Sequence, residues 1–130
     1  MFKIVKKTKF SKTDNKIEDF GNIKKAIKYY QKGKNKNLYY VLKQRFEWMN
    51  KYIKKDDIGL EVGSGAGFSK EFIVNKNLKI SDFSDHEHLD YKNVDAHNTK
   101  FNNNSFDYII AAQVLHHIPY PIKFFREMHR

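Results

Sequence analysis

Apolar positions recur at helical spacing in the first half of the chain and gather into short runs in the second half. Leu38, Leu42, Phe46, Met49 and Ile53 fall on one stripe, widened by Val41, Trp48 and Tyr52, and predict a helix over 38–55. Lys51, Lys54 and Lys55 suit the negative end of its dipole. A shorter helix is expected before it, capped by Asn22, carried by Ile23, Ala26, Ile27 and Tyr30 and ended by Gly33, with a loop over 34–37. Residues 1–20 are polar and weakly patterned and read as an arm. Past Asp57 the texture becomes strand, turn and helix. Ile58–Val62 is a short apolar strand, Gly63–Gly67 a glycine turn, and Phe68–Val74 a helix burying Phe68, Phe72 and Ile73. Leu78–Ser81 is a second strand, Asn93–Asp95 a minimal third, and Phe106–Ala112 a strand whose continuous apolar run suits burial on both faces. Pro119 and Pro121 set up a last helix with Ile122, Phe125 and Met128 on one face. This alternation predicts an α/β fold with a parallel sheet. The expected organisation is a basic arm over 1–37 and a domain over 38–130, whose ligand-binding half spans 56–130.

Composition narrows the chemistry. Of 130 residues, 40% are hydrophobic and none is cysteine, which excludes disulfides, thiolate metal sites and a cysteine nucleophile. No apolar run approaches the ~20 residues of a membrane span. Lys3, Lys6, Lys7 and Lys9 are followed by no long apolar run, so no secretory signal is read and a cytoplasmic protein is expected. The net charge of +10 is unevenly spread: residues 1–55 hold 17 Lys and Arg against 4 Asp and Glu, and residues 56–130 hold 8 against 11. Only Arg45, Arg126 and Arg130 are arginines, whereas readers of nucleic acid favour the planar, bidentate guanidinium. No specific nucleic-acid partner is expected.

The informative run is Leu60-Glu61-Val62-Gly63-Ser64-Gly65-Ala66-Gly67. A strand entering Gly-x-Gly-x-Gly and then a helix brings bare backbone against a ligand. A phosphate loop needs Gly-Lys-Ser/Thr, but Phe68-Ser69 follows Gly67. A dinucleotide fingerprint needs glycine where Phe68 stands. What survives is a nucleoside ligand without a pyrophosphate, with Glu61 beside a cationic portion. Asp82, 19 residues after Gly63 and at the end of the next strand, is placed to accept from both ribose hydroxyls. Asp95 is placed to accept from an adenine amine. Singly each element is weak; their order and spacing carry the reading.

With these pieces, and with Ile80-Ser81-Asp82-Phe83-Ser84, Asp95-Ala96 and Asn104-Ser105-Phe106-Asp107-Tyr108-Ile109-Ile110 running on to Val114-Leu115-His116-His117-Ile118, the sequence resembles the class I S-adenosylmethionine-dependent methyltransferases, of the generic small-molecule type. The resemblance spans about residues 56–130 and implies a three-layer, Rossmann-like fold with S-adenosylmethionine as cofactor. It implies that Gly63, Ser64, Gly65 and Gly67 form the turn packed against the methionine part, with Glu61 near its amino group. Asp82 would bind the ribose hydroxyls, Phe83 would cover the adenine, Asp95 and the Ala96 backbone would read its edge, and Gln113 would face the methionine portion through its backbone. The reaction implied is in-line displacement at a sulfonium methyl, driven mainly by positioning.

Cytosine carbon-5 methylation needs a cysteine nucleophile, and amino-methylating DNA enzymes carry Asp/Asn-Pro-Pro-Tyr/Phe where this chain has Ala112-Gln113-Val114-Leu115. The acceptor expected is therefore a small molecule or a lipid- or saccharide-linked group. His116 is the candidate base or substrate contact, against the alternative that His116-His117 packs a strand–helix corner. His86-Glu87-His88 reads as a solvent-facing loop rather than a metal site, so no metal is expected. The family's sheet usually has seven strands, and only the first four are expected here, as in a C-terminally truncated domain. The 106–112 strand would then be an exposed edge, open to a partner chain or self-association. The alternative function is a non-catalytic remnant or a cofactor-binding module without turnover.

Overall fold

The computed structural model describes residues 22–32 and 36–130. The arm over 1–20, Gly33 and the first two positions of the 34–37 loop lie outside the described residues. Helix α1 (Ile23–Gln31) starts where Asn22 Oδ1 accepts the Lys25 N–H at 2.9 Å. Helix α2 (Lys36–Glu47) begins earlier than its stripe predicts and passes into a 3-10 turn over Trp48–Lys51. Its buried residues are Leu42 and Phe46, with Met49 and Ile53 packed alongside. Val41, Trp48 and Tyr52 are exposed, so the apolar stripe is narrower than the pattern suggests.

Three parallel strands follow: β1 (Gly59–Glu61), β2 (Leu78–Ile80) and β3 (Tyr108–Ile110), in the order β2-β1-β3. Gly59, Leu60 and Glu61 pair with Leu78, Lys79 and Ile80 on one side and with Tyr108, Ile109 and Ile110 on the other. The pairing with β3 is extended by a reciprocal bond, in which Asp107 N–H donates to the Ile58 carbonyl at 2.7 Å and Ile58 N–H to Asp107 Oδ2 at 2.8 Å. Gly59 leaves room for the Tyr108 ring, since a Cβ there would lie 2.0 Å from Tyr108 Cζ. Among the described residues three strands form where four were expected. Residues 93–95 make no strand, and that side of the sheet has only an isolated parallel bridge between Ser81 and Tyr91.

Strand alternation sends side chains into two cores. On one face Leu42, Phe46, Phe72, Ile73, Leu78 and Ile110 cluster under α1, α2 and the short α3 (Ser69–Phe72). On the other, Leu60 and Val62 meet Ile118 and Phe124, with Phe101, Phe106, Ile109 and Met128 around them. The result is an α/β/α arrangement, as the Rossmann-like reading requires. Helix α4 (Pro121–His129) takes proline at its first turn and closes the second core. Its inner face is not the apolar row of 122, 125 and 128: Phe124 is 1% exposed, whereas Ile122 and Phe125 are 65% and 55% exposed. Met128 packs one turn after Phe124, so the inward row is 124 and 128.

The end of α4 is tied to the preceding loop by charge. Glu127 Oε1 accepts from Thr99 N–H, Thr99 Oγ1–H and Arg130 Nη2, each at 2.7 Å. Arg130 Nε donates to Glu127 Oε2 at 2.8 Å, and its Nη1 reaches the Phe101 carbonyl at 2.6 Å. These bonds, that from Arg130 foremost, hold the Glu127 carboxyl down at about 2.

Two outcomes follow from this packing. Phe124→Ala should lower unfolding stability by about 3–5 kcal/mol in urea titration, because it empties the centre of the second core. The depressed Glu127 carboxyl contributes stability that is present above its ordinary value near 4.5 and is lost as pH falls toward 2. Glu127→Gln should therefore shrink the drop in urea midpoint between pH 4.5 and pH 2, and an unchanged drop would refute the linkage.

Candidate functional site

Strand β1 ends at Glu61, and the chain turns back through residues 63–67 before α3. The turn is fused to the end of β2: Ser64 N–H donates to the Ser81 carbonyl at 2.9 Å, Ser81 N–H to the Glu61 carbonyl at 2.8 Å, and Ser81 Oγ–H to the same carbonyl at 2.8 Å. Gly63, Gly65 and Gly67 all have left-handed backbones, with φ of 64°, 52° and 71°. A Cβ at Gly63 would come within 2.4 Å of Val114 Cγ2, and one at Gly67 within 2.8 Å of Ile80 Cδ1. Gly65 has no atom within 4 Å of that position, so the middle of the turn faces open space.

A cleft of about 180 Å³ opens beside Gly63 and Gly65. Asp82 and Phe83 line it from the end of β2, Asp95 and Ala96 from the next loop, and Gln113 and Val114 from the segment after β3. Seven of the ten residues expected at a cofactor thus meet in one hollow. Glu61, Ser64 and Gly67 do not line it. Ile23 of α1 stands at its rim, a residue that helical periodicity marked only as packing.

Asp82 is largely buried, and each carboxylate oxygen accepts one backbone N–H. Oδ2 takes that of Gly65 at 2.9 Å and Oδ1 that of Ser84 at 3.0 Å. Each oxygen keeps a further lone pair. Asp95 Oδ1 accepts both the backbone N–H of His97 at 2.8 Å and its ring Nδ1 at 2.9 Å. Partial burial pushes the Asp95 carboxyl up, but the His97 bonds and the charge of Lys123 outweigh it and hold it below the usual range. A carboxylate only accepts, so His97 Nδ1 carries a hydrogen, and His97 Nε2 is sealed from solvent and without a partner among the described residues. Ser84 Oγ is in the same condition.

Glu61 lies beneath the turn rather than on the cleft wall. It is 3% exposed, and Ser69 Oγ–H donates to its Oε2 at 2.5 Å. Burial pushes its carboxyl up to about 7, and Asp82 adds to that. Bonds from Ser69 and Ser64 and the charge of Arg45 pull the other way. Of the histidine pair, whose ring centroids lie 3.9 Å apart, His117 lines the cleft and His116 does not. His86 and His88 stack with centroids 5.8 Å apart, and no group of three or more metal-ligating side chains forms among the described residues. His88 Nε2 instead reaches the Gly65 carbonyl at 2.8 Å. Sequence reasoning missed Ser69, His88 and His97 as site residues and, of the pair 116–117, favoured His116 where His117 lines the cleft; for His97 the available signal was its position two residues after Asp95.

A model of the methyltransferase domain matches residues 60–130, more than half of the chain and all of the turn and the cleft except Ile23. The chain belongs to the methyltransferase-domain family. The match bears out the class I S-adenosylmethionine-dependent type and its Rossmann-like α/β fold. No curated protein and no solved structure matches the chain. Members of this family generally bind S-adenosylmethionine, and in this methyltransferase domain the glycine turn and Asp82 sit where β1 and β2 end, the usual ligand edge of a parallel sheet. Among the described residues no helix is long and apolar enough to cross a membrane.

The raised Glu61 carboxyl has a definite sign. Its neutral form is favoured in the folded state, so its contribution to stability is complete below pH 4.5 and fades as pH rises through about 7. Glu61→Gln should flatten this decline, which is on the order of 3 kcal/mol at most. Chemical denaturation at pH 5 and pH 8 checks it, and an equal loss in both proteins would refute it.

Proposed function

We propose that the domain binds S-adenosylmethionine in the cleft and transfers its methyl group to a small-molecule acceptor. The observation that carries this is the convergence of Gly65, Asp82, Phe83, Asp95 and Ala96 around one hollow. Their chemistry fits the cofactor. Asp82 offers one spare lone pair on each oxygen to a pair of ribose hydroxyls, while its bonds to Gly65 and Ser84 fix the direction of the carboxylate. Phe83 presents an exposed apolar ring for the base. The Asp95 oxygen not taken by His97 faces the exocyclic amine, and the Ala96 backbone lies beside it. Bare backbone at Gly63 and Gly65 admits the methionine arm, and Gln113 closes that end.

Bound S-adenosylmethionine supplies a sulfonium methyl open to in-line displacement, in which the acceptor gains the methyl and the sulfur keeps the bonding electron pair. The chain's own contribution is positioning and water exclusion. Asp82 and Asp95 also favour a cationic ligand by charge alone. Glu61 supports the turn from below, held by the hydroxyl of Ser69. Where the acceptor must lose a proton, the candidate base comes from the His116–His117 pair, of which His117 lines the cleft and His116 packs against its ring.

Titration calorimetry with S-adenosylmethionine and S-adenosylhomocysteine tests the reading. The wild-type chain should bind both, and Asp82→Ala should weaken binding by a factor on the order of 10–100, the loss of hydrogen bonds to a charged group. A folded chain that takes up neither ligand would sink the proposal, and an Asp82→Ala variant of unchanged affinity would sink the ribose assignment.

A further inference from the structure

The glycines of the turn are restrained by different means. Gly63 is wedged against Val114, and Gly67 against Ile80 and the His88 ring, with its N–H also donating to the Ser64 carbonyl at 2.9 Å. Gly65 has no such neighbour, and its left-handed backbone rests on two hydrogen bonds. The peptide before it donates its N–H to Asp82 Oδ2 at 2.9 Å, and the peptide after it offers its carbonyl to His88 Nε2 at 2.8 Å. A carbonyl only accepts, so Nε2 carries the hydrogen, as it does in one neutral tautomer and in the imidazolium alike.

His88 is delivered by a braced segment. Residues 82–91 double back onto β2: Asp82 N–H donates to the Tyr91 carbonyl at 3.3 Å, and Asp90 and Tyr91 N–H donate to the Ile80 carbonyl at 3.0 and 3.1 Å. Leu89 is buried beside it. Asp90 Oδ2 accepts from Lys70 Nζ at 2.6 Å and from Ile80 N–H at 2.8 Å, anchoring the segment to α3 and β2 at once. Both bonds on Gly65 thus come from one strap, Asp82 at its start and His88 near its end.

We infer that His88 is a positioning residue for the nucleoside site: it clamps the Gly65 carbonyl and so holds the turn in the conformation whose N–H orients the Asp82 carboxylate. The inference rests on the cofactor reading above. It assigns a task to His86-Glu87-His88, with His86 stacked on the working ring. Without the clamp, a glycine with open space on its free side samples other backbone wells, and the site must be ordered by the ligand each time it binds.

The test uses the full chain as wild type, His88→Ala and His88→Gln, with two readouts: hydrogen exchange of the Gly65 amide without ligand, and titration of S-adenosylhomocysteine. His88→Ala should speed Gly65 exchange and weaken binding about three- to tenfold, the worth of one hydrogen bond, with little change in thermal midpoint. His88→Gln, which restores a donor at similar reach, should recover both. Unchanged exchange and affinity in His88→Ala, or no recovery in His88→Gln, overturns the clamp. If exchange responds as expected but the wild-type chain takes up no S-adenosylhomocysteine, the clamp stands and the cofactor reading is overturned.

Discussion

The turn after β1 is wedged between two neighbours, and the rest of the site depends on that constraint. Val114, arriving from β3, fills the space where a side chain on residue 63 would stand, and Ile80 of β2 does the same for residue 67. The backbone must therefore leave the central strand in left-handed steps, close against the ends of both flanking strands. Because β2, β1 and β3 are parallel and in matched register, their carboxyl ends finish together, and the loops that follow all reach the same hollow. Asp82, Asp95 and Gln113 meet there although they are far apart in sequence.

Charge is arranged around this point in layers. The basic excess lies before residue 56, while the cleft carries two acids, Asp82 and Asp95, held by hydrogen bonds that favour their ionised forms or fix their direction. A third acid, Glu61, sits under the turn with its proton retained up to near neutral pH, which spares the site a second buried negative charge close to Asp82. The Glu127–Arg130 cluster stands apart from the cleft and serves the packing of α4 on the loop over 99–103.

Much of this was legible in the residues. Asn22 announces α1, the runs at 58–62, 78–81 and 106–112 contain the three strands, and the glycine run with Asp82 marks the ligand edge. What escaped did so for physical reasons. Ile122, Phe124, Phe125 and Met128 allow two inward faces at helical spacing, and only the hollow left by Leu60, Val62 and Ile118 selects Phe124. Glu61 alternates away from Leu60 toward α3, so its carboxylate meets Ser69, a partner eight residues on that no local pattern names. Asn93–Asp95 holds one strand-favouring residue, Val94, and Asn93 takes a left-handed backbone with φ of 54°, so the chain makes an isolated bridge from Tyr91 to Ser81 and no strand there. His88 looked like a solvated loop residue because its partner is a backbone carbonyl, which no side-chain motif reveals.

Gly59 and Tyr108 share one volume across the β1–β3 pairing: the phenol ring occupies the place of the missing side chain. A side chain added at 59 would require the tyrosine ring to swing aside, and the ring packs against the core under α2. The cost of filling an otherwise ordinary strand position is thus set by how far a ring on the neighbouring strand can turn.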